Sequence, residues 1–272
     1  MRLIRQLHPG WLLPGFMVAA FYVAATPADE QTEQCSAALG QGFVTEGQEL
    51  AGELEILSWN IQKASNLGWA EDLASFSDGV DLAFIQEASL QAQIPQVIPR
   101  DLYQAFAAGY TTASQETGVM TLSASSPSVH CNLTSWEPWL GTPKATSITE
   151  YPLQDRDDRL LTINLHAVNF ALGLEDFHAQ FRALTDVLSR HQGPVILAGD
   201  LNTWSNDRQS LVDEFMLKHG LGPVAFEPDL RTTAFGRALD HIYVRGMQAQ
   251  FARVIPVTSS DHNPLRVRLA FQ

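Results

Sequence analysis

Acidic, amide and imidazole side chains in this chain stand directly beside apolar runs. Gly199-Asp200-Leu201-Asn202 follows the apolar residues 195–198, and Asp261-His262 precedes the last apolar stretch. Hydrolysis of a phosphate ester needs a cation to polarise the phosphoryl oxygens, a base for water and an acid or metal for the leaving oxygen. These residue types could supply that chemistry if the fold brought them together.

Glu87 is the candidate metal ligand because it ends the apolar run 82–85, where a charged side chain must emerge from a sheet edge. Hard cations such as Mg²⁺ prefer carboxylate oxygens. A solvated glutamate at a strand end is the alternative, and Glu87 alone does not decide between the two.

Asp200 and Asn202 have one residue between them, so in an extended segment both side chains face the same way. Asp200 could then orient a water, and the Asn202 amide could donate to a phosphoryl oxygen. An Asx turn after a strand would explain the same two residues without a site.

Asp240 opens one apolar run and His262 precedes another. If they meet, the carboxylate would orient the imidazole and stabilise its cation. His166 ends a further apolar run and supplies a second imidazole. A lone histidine at a strand end is usually structural, but six such polar residues together favour a site.

Lys144 and Arg237 stand beside strands that are expected to reach the end of the sheets where the site lies, and both could contact phosphate. Solvated surface cations are the simpler explanation. Trp204 could stack on a base or sugar, or pack against the fold.

Short apolar runs separated by turns predict a strand-rich fold. Strands are expected at residues 54–59, 80–86, 119–123, 145–151, 160–166, 195–199, 239–244 and 265–271. Helices are expected at residues 174–190 and 206–219, with weaker ones at 69–76 and 89–94. The mixed order fits two packed sheets with helices on the outer faces.

The charge balance argues against tight binding to duplex nucleic acid. The chain has a net charge of −13, and without residues 1–28 it would carry 15 basic against 30 acidic residues, a charge of −15. Nucleic-acid affinity usually rests on many Lys and Arg residues. A bound metal ion could still draw a phosphate into an acidic cleft.

The first 28 residues have the layout of a secretory signal, with Arg2 and Arg5 before an apolar core. We expect export to the periplasm or the outside. An uncleaved anchor, which alone would bring the protein to a membrane, and a disordered cytosolic leader are the alternatives. Residues 29–53 are expected to form a flexible, extended leader, and residues 54–272 the folded domain. Cys35 and Cys131 would form one disulfide or remain two thiols.

The motifs together resemble the endonuclease/exonuclease/phosphatase superfamily, which has the DNase I-like fold, and in particular its bacterial YafD-like branch. The resemblance covers essentially everything after residue 53. It rests on Trp59-Asn60-Ile61, Ile85-Gln86-Glu87, Asn164-Leu165-His166, Gly199-Asp200-Leu201-Asn202, Leu239-Asp240 and Ser260-Asp261-His262.

The resemblance implies a four-layer α/β sandwich (αββα, two mainly antiparallel or mixed sheets) with the site at one end of the sheets. It implies a Mg²⁺ (or Mn²⁺) held mainly by Glu87, with Asp261 in or beside the metal site. Asn60 would help to place the substrate phosphate or the metal. His262 and Asp240 would act on the nucleophilic water. His166 would stabilise the phosphate or donate a proton, and Asp200 with Asn202 would orient water and phosphoryl oxygen.

The leading hypothesis is therefore a metal-dependent phosphodiesterase, with nucleic acid as the first substrate class. Secreted nucleases of this fold commonly carry an Arg two residues after the metal-binding Glu, and this chain has Ser89 there. A phospholipid or small phosphate ester is thus the alternative substrate. A non-catalytic binding protein on the same fold is the alternative class, and the sequence leaves the oligomeric state open.

Overall fold

The computed structural model describes residues 28–44, 49–138, 140–171 and 173–272. The expected signal segment, residues 1–28, therefore lies outside the described residues except for Ala28. Among the helices that are described, none has both the length and the apolar character needed to cross a membrane.

Fourteen strands and five helices make up the described chain. The strands are β1 Glu53–Asn60, β2 Leu82–Ser89, β3 Tyr103–Thr111, β4 Glu116–Ser123, β5 Val129–Glu137, β6 Thr142–Pro152, β7 Arg159–His166, β8 Val195–Asp200, β9 Gly222–Pro223, β10 Thr233–Ala234, β11 Arg237–Ala238, β12 Asp240–Arg245, β13 Met247–Val254 and β14 Leu265–Phe271. The helices are α1 Ala28–Ala38, α2 Trp69–Phe76, α3 Glu175–Arg182, α4 Thr185–Arg190 and α5 Asn206–Lys218. Short 3-10 turns span Gln62–Ala64, Leu90–Ala92 and Ile94–Val97.

Twelve of these strands form two six-stranded sheets. The first has the order β13-β14-β1-β2-β4-β3 and the second the order β5-β6-β7-β8-β12-β9, while β10 and β11 form a separate hairpin. In each sheet one central pair is parallel, β1 with β2 and β7 with β8, and its neighbours are antiparallel. The mixed α/β sandwich expected from the sequence is confirmed.

Three apolar clusters hold the layers together. Leu54, Phe84 and Ile196 belong to the cluster between the two sheets. Phe177 belongs to the cluster between the second sheet and the helices, and Leu73 to the cluster that covers the first sheet with α2. The order of layers is helix, sheet, sheet, helix, because each sheet must bury both faces.

Two of the expected helices differ from the structure. The stretch 174–190 is two helices, since the Leu184 N–H bonds to the Phe181 carbonyl, a tighter i to i−3 bond that separates α3 from α4. The weaker helix expected at 89–94 is replaced by 3-10 turns. The helices at 69–76 and 206–218 are confirmed.

The expectation of an extended leader over residues 29–53 is wrong for its first part. Residues 28–38 form α1, whose Cys35 is 1 % exposed and is joined by a disulfide to Cys131 on β5. Gly40, just after the helix, donates to the Glu150 carboxylate. The sequence shows no apolar periodicity for this helix, because its buried face consists of small and polar residues such as Thr32 and Ser36.

Candidate active site

A cleft of about 490 Å³ opens at one end of the two sheets. Eight of the ten residues singled out from the sequence line it: Asn60, Glu87, Lys144, His166, Asp200, Asn202, Asp261 and His262. Asp240 lies directly behind His262. Arg237, on β11 of the small hairpin, is not among the described residues that line the cleft, so the structure does not place it with the others.

The strand pairing explains why these residues meet. β1 and β2 are parallel, with Asn60 opposite Gln86, and β7 and β8 are parallel, with His166 opposite Asp200. Parallel strands present their carboxyl ends at one edge. The antiparallel β12 begins at Asp240, which lies opposite Asp200. Polar residues distant in sequence are therefore gathered at one edge.

The Asp240 carboxylate orients the His262 ring. Nδ1 of His262 donates to Oδ2 of Asp240 at 2.7 Å, and both residues are at least 90 % buried. The main chain of His262 is fixed as well, because Trp59 Nε1 donates to its carbonyl at 2.8 Å. Burial disfavours the charged ring, but the carboxylates of Asp240 and Asp200 outweigh it and raise the pKa of His262 to about 10.

Asp200 lies at the centre of the polar groups. It accepts a hydrogen bond from Nδ2 of Asn60 at 3.1 Å and one from the Asn202 N–H at 3.1 Å. Its Oδ2 is 3.6 Å from Nε2 of His166 and 3.8 Å from Nε2 of His262. Burial raises the pKa of Asp200 to about 6, against the opposing charge of His262.

Three of the described cleft residues, Lys63, Glu87 and Asn202, have left-handed backbone conformations. Glu87 has φ of 49° within a bulge of β2, between Ile85 and Ala88, and Asn202 has φ of 49° after β8 has ended. The extended geometry expected for Asp200 and Asn202 is therefore wrong, although both side chains reach the cleft. Strained non-glycine residues are typical of functional sites.

One amide hydrogen of Asn202 is already engaged. Its Nδ2 donates to the Ala167 carbonyl at 3.0 Å, which holds the side chain beside β7. An amide nitrogen carries two hydrogens, so one remains for a phosphoryl oxygen.

His166 contacts a lysine as well as the Asp200 carboxylate. Nζ of Lys144 donates to Nε2 of His166 at 3.0 Å, and the same Nζ is 3.7 Å from the buried Glu137 carboxylate. Burial, aided by the charges of Lys144 and His262, holds the pKa of His166 well below its usual range. His166 is therefore a neutral imidazole at neutral pH, which favours a stabilising role over proton donation.

The residues present fit a hard divalent cation. Glu87 retains a carboxylate that is 24 % exposed to the cleft, and the carboxylate of Asp261 lines the same space. All these donors are oxygens, as Mg²⁺ and Mn²⁺ prefer. The Asn60 amide oxygen accepts from the Gln62 N–H at 3.1 Å and so has one lone pair left.

A second group, Asp200, Asp240 and His262, has ligand atoms within 4.8 Å of one another. Nδ1 of His262 and Oδ2 of Asp240 are already joined by a hydrogen bond of 2.7 Å, so an ion bound through these two atoms would have to break that bond. We therefore favour Glu87 and Asp261 as the cation-holding side of the cleft.

Sequence reasoning missed two charged residues of the cleft, Lys63 and Glu137. Nζ of Lys63 is 3.7 Å from Oε2 of Glu87, so the lysine ammonium group lies beside the carboxylate that is expected to bind the metal. Glu137 is 1 % exposed and accepts from the N–H groups of Asn169 and Phe170. Lys63 stands two residues after the motif Trp59-Asn60-Ile61, and this nearness to the motif could have marked it as a cleft residue. Glu137 ends β5, a strand that the sequence pattern did not predict.

The motif residue Asn164 is a structural link and not a cleft residue. It accepts from Nε2 of Gln86 at 2.8 Å and donates to the Met120 carbonyl at 3.0 Å. These hydrogen bonds tie the two sheets together behind the site. Oε1 of Gln86 is buried and has no hydrogen-bond partner among the described residues, and we have no physical account of it.

Carboxylates, an Asp–His pair and a lysine in one cleft at the end of two packed sheets are the groups that could hold a divalent cation and activate water for phosphoester hydrolysis. The sequence model of the Endonuclease/Exonuclease/phosphatase family matches residues 57–262, so the chain belongs to this family. The family hydrolyses phosphoester bonds, and its enzymes typically use a divalent metal.

Known proteins agree with this assignment. A UPF0294 protein of Vibrio vulnificus is 38 % identical over 218 residues, which cover 79 % of this chain and 76 % of the relative. A mannosyl-6-phosphatase of Bacteroides thetaiotaomicron has a similar fold, with a TM-score of 0.59 and 19 % identity over 80 % of this chain and all of the other. TDP2 of D. rerio, solved with a single-strand DNA product, has a TM-score of 0.57 and 17 % identity over 80 % of this chain and 98 % of its own.

Proposed function

We propose that the protein is a Mg²⁺- or Mn²⁺-dependent phosphoesterase that hydrolyses phosphodiester bonds by attack of water on phosphorus. The observation that carries the proposal is that Glu87 and the Asp240–His262 pair belong to one cleft. A cation held there would polarise the phosphoryl oxygens and stabilise the leaving oxygen.

The residues of the chain divide the remaining work. Glu87 and Asp261, with Asn60 beside them, would hold the cation. A water bound beside Oδ2 of Asp200 would lose its proton to this carboxylate, because its pKa of about 6 leaves Asp200 ionised at neutral pH. His262, with a pKa of about 10, is already protonated, and its Nε2, 3.8 Å from Oδ2 of Asp200, would stabilise the hydroxide that forms. Asp240 keeps the His262 ring in place through the bond at 2.7 Å. Lys144, with the neutral His166 beside it, would stabilise the phosphoryl charge.

Nucleic acid is the substrate class predicted first from the sequence, and the family includes a protein that binds a single-strand DNA product. Among the described residues lining the cleft, however, the basic residues other than histidine are Lys63 and Lys144, and each lies near a glutamate. This supports a compact phosphodiester, such as a phospholipid head group or a small ester, as the second candidate substrate. Stable binding to a long duplex is not expected.

The decisive experiment uses purified protein and bis-p-nitrophenyl phosphate with Mg²⁺ or Mn²⁺. We expect hydrolysis that EDTA abolishes and that Glu87→Gln reduces by ~100-fold or more. A panel of plasmid DNA, RNA, sphingomyelin and phosphoinositides then separates the substrate classes. Full hydrolysis in EDTA would exclude the metal mechanism, and complete inactivity with every substrate would favour the non-catalytic binding protein.

We also propose that the protein is exported to the periplasm or beyond. The Cys35–Cys131 disulfide supports this, because disulfides persist mainly in oxidising compartments. N-terminal sequencing of the mature protein tests it. A cleaved terminus near residue 28 is expected, whereas an intact Met1 would favour the anchored or cytosolic alternatives.

A further inference from the structure

A second pocket, of about 450 Å³, adjoins the cleft. Its walls are mainly Phe170, Trp204, Phe235 and Leu239. It shares four residues with the cleft: Asn169, Phe170, Asn202 and Leu239. Because the two spaces share these lining residues, a group attached to a phosphate in the cleft can extend directly into the apolar pocket. Its size falls in the ~300–1,000 Å³ range typical of ligand sites.

The polar side chains of the pocket are already engaged with the protein. Oδ1 of Asn169 accepts from Nε1 of Trp204 at 3.0 Å, and Nδ2 of Asn202 donates to the Ala167 carbonyl at 3.0 Å. Among the described residues that line the pocket, none is charged. The pocket thus offers a ligand mainly apolar surface, with two amide side chains and no charge among its described lining residues.

The rim of the pocket exposes aromatic rings to solvent. Phe235 is 90 % exposed and Phe170 is 54 % exposed. Phe235 lies at the tip of the β10–β11 hairpin with φ of 52°, followed by Gly236 with φ of 77°. A positive φ is uncommon for a residue other than glycine, and here it places a large exposed aromatic ring beside Phe170 at the mouth of an apolar pocket.

We propose that this pocket binds the hydrocarbon part of a lipid phosphodiester substrate while its phosphate lies in the cleft. The inference rests on the proposed phosphodiesterase function and narrows its substrate class. Burial of hydrocarbon against Phe235, Phe170 and Leu239 would contribute binding free energy that the small number of lysines in the cleft cannot supply.

A nucleobase fits the pocket less well. The rings of Trp204 and Phe235 meet at 63°, so they do not form a parallel stacking sandwich. The Arg208 guanidinium already covers the Trp204 ring, 4.6 Å from its centroid. A base would also bring several hydrogen-bonding groups to a pocket whose polar side chains, among the described lining residues, are two amides, and the net charge of −13 disfavours polyanions.

The test uses the full metal-loaded protein and a series of alkyl p-nitrophenyl phosphodiesters, with methyl, butyl and octyl groups, kept in monomeric solution. We expect kcat/KM to rise with chain length, by ~10-fold or more from methyl to octyl. Thymidine 5′-p-nitrophenyl phosphate serves as the nucleobase probe and should be cleaved less efficiently than the octyl ester.

Variants assign the effect to the pocket. Phe235→Asn removes the exposed ring and tolerates the positive φ, so the octyl to methyl ratio should fall by ~3-fold or more. Ala234→Phe, on the same hairpin, fills the pocket and should also lower the ratio. Phe251→Asn is the matched control: Phe251 is 45 % exposed on β13, and the ratio should not change.

The outcomes are distinguishable. Failure to cleave any ester of the series would refute the phosphodiesterase function itself. Cleavage of all esters at equal rates, or an equal ratio in Phe235→Asn, would refute the hydrocarbon pocket alone. A thymidine ester that is cleaved best, and that loses this preference in Phe235→Asn, would show that the pocket binds a base.

Discussion

The Asp240–His262 pair is the residue-scale centre of the proposed chemistry. One hydrogen bond of 2.7 Å fixes the ring, and Nε2 is left facing Asp200. The pair is buried, so its geometry is held by the surrounding packing.

We expect His262→Ala to lower kcat by ~100-fold or more, and Asp240→Asn to lower it by a similar order. The double variant should be little worse than either single variant, because the two residues act as a unit. Steady-state kinetics measure this, with thermal melts to show that the fold is kept. Near-normal turnover by folded His262→Ala would disprove the assigned role.

His241, the neighbour of Asp240, makes stability depend on pH. Burial, together with the charge of Arg231, lowers the pKa of His241 to about 4 from an ordinary 6.5, although Asp229 opposes this shift. Between those values the unfolded chain binds a proton that the folded protein does not. The free energy of unfolding should therefore fall as pH drops from about 6.5 to 4, by up to about 3 kcal/mol.

Urea denaturation at pH 7 and pH 4.5 measures this slope. Because His241 hydrogen-bonds Thr203, His241→Gln keeps a polar group there but removes the titration. The variant should show a shallower decline with acid than the parent protein. An identical decline in both proteins would show that other groups cause it.

At the scale of elements, α1 is attached to the second sheet by covalent and polar contacts. The Cys35–Cys131 disulfide closes a loop of sequence separation 96. The buried Glu150 accepts from Gly40 after the helix and from Arg159 on β7. The helix therefore belongs to the folded unit, and the domain is larger at its N-terminal end than the sequence pattern indicated.

Replacing both cysteines with serine should lower the free energy of unfolding by ~2–5 kcal/mol. The reason is the added freedom of the unfolded chain together with two small polar groups placed in an apolar site. Chemical denaturation measures the loss. Since neither cysteine lines the cleft, turnover at 25 °C should be unchanged; a large loss of turnover in the folded variant would contradict this separation.

At the scale of the whole molecule, the net charge of −13 opposes binding of long polyanions. Lys63 and Lys144 place positive charge in the cleft, but each is already close to a carboxylate. We expect no shift of a 30-base-pair duplex in a gel assay at ~10 µM protein and ~0.1 M salt. Tight binding with a steep salt dependence would restore the nuclease as the leading proposal.

The sequence by itself determined the family, the two-sheet fold and most of the site. Short strand patterns were flanked by polar residues: Glu87 and Asp200 followed such a pattern, and His262 preceded one. Because parallel strands share an edge, these positions could be expected to converge before any coordinates were known.

Only the tertiary structure decided the contacts between side chains of different strands, helices and loops. Lys144 pairs with His166 across neighbouring strands, and Glu137 enters from a strand that carries no clear apolar alternation. The apolar pocket forms where Trp204 meets the hairpin tip at Phe235. Such contacts join residues distant in sequence, and no local pattern of residue types fixes which of them will meet.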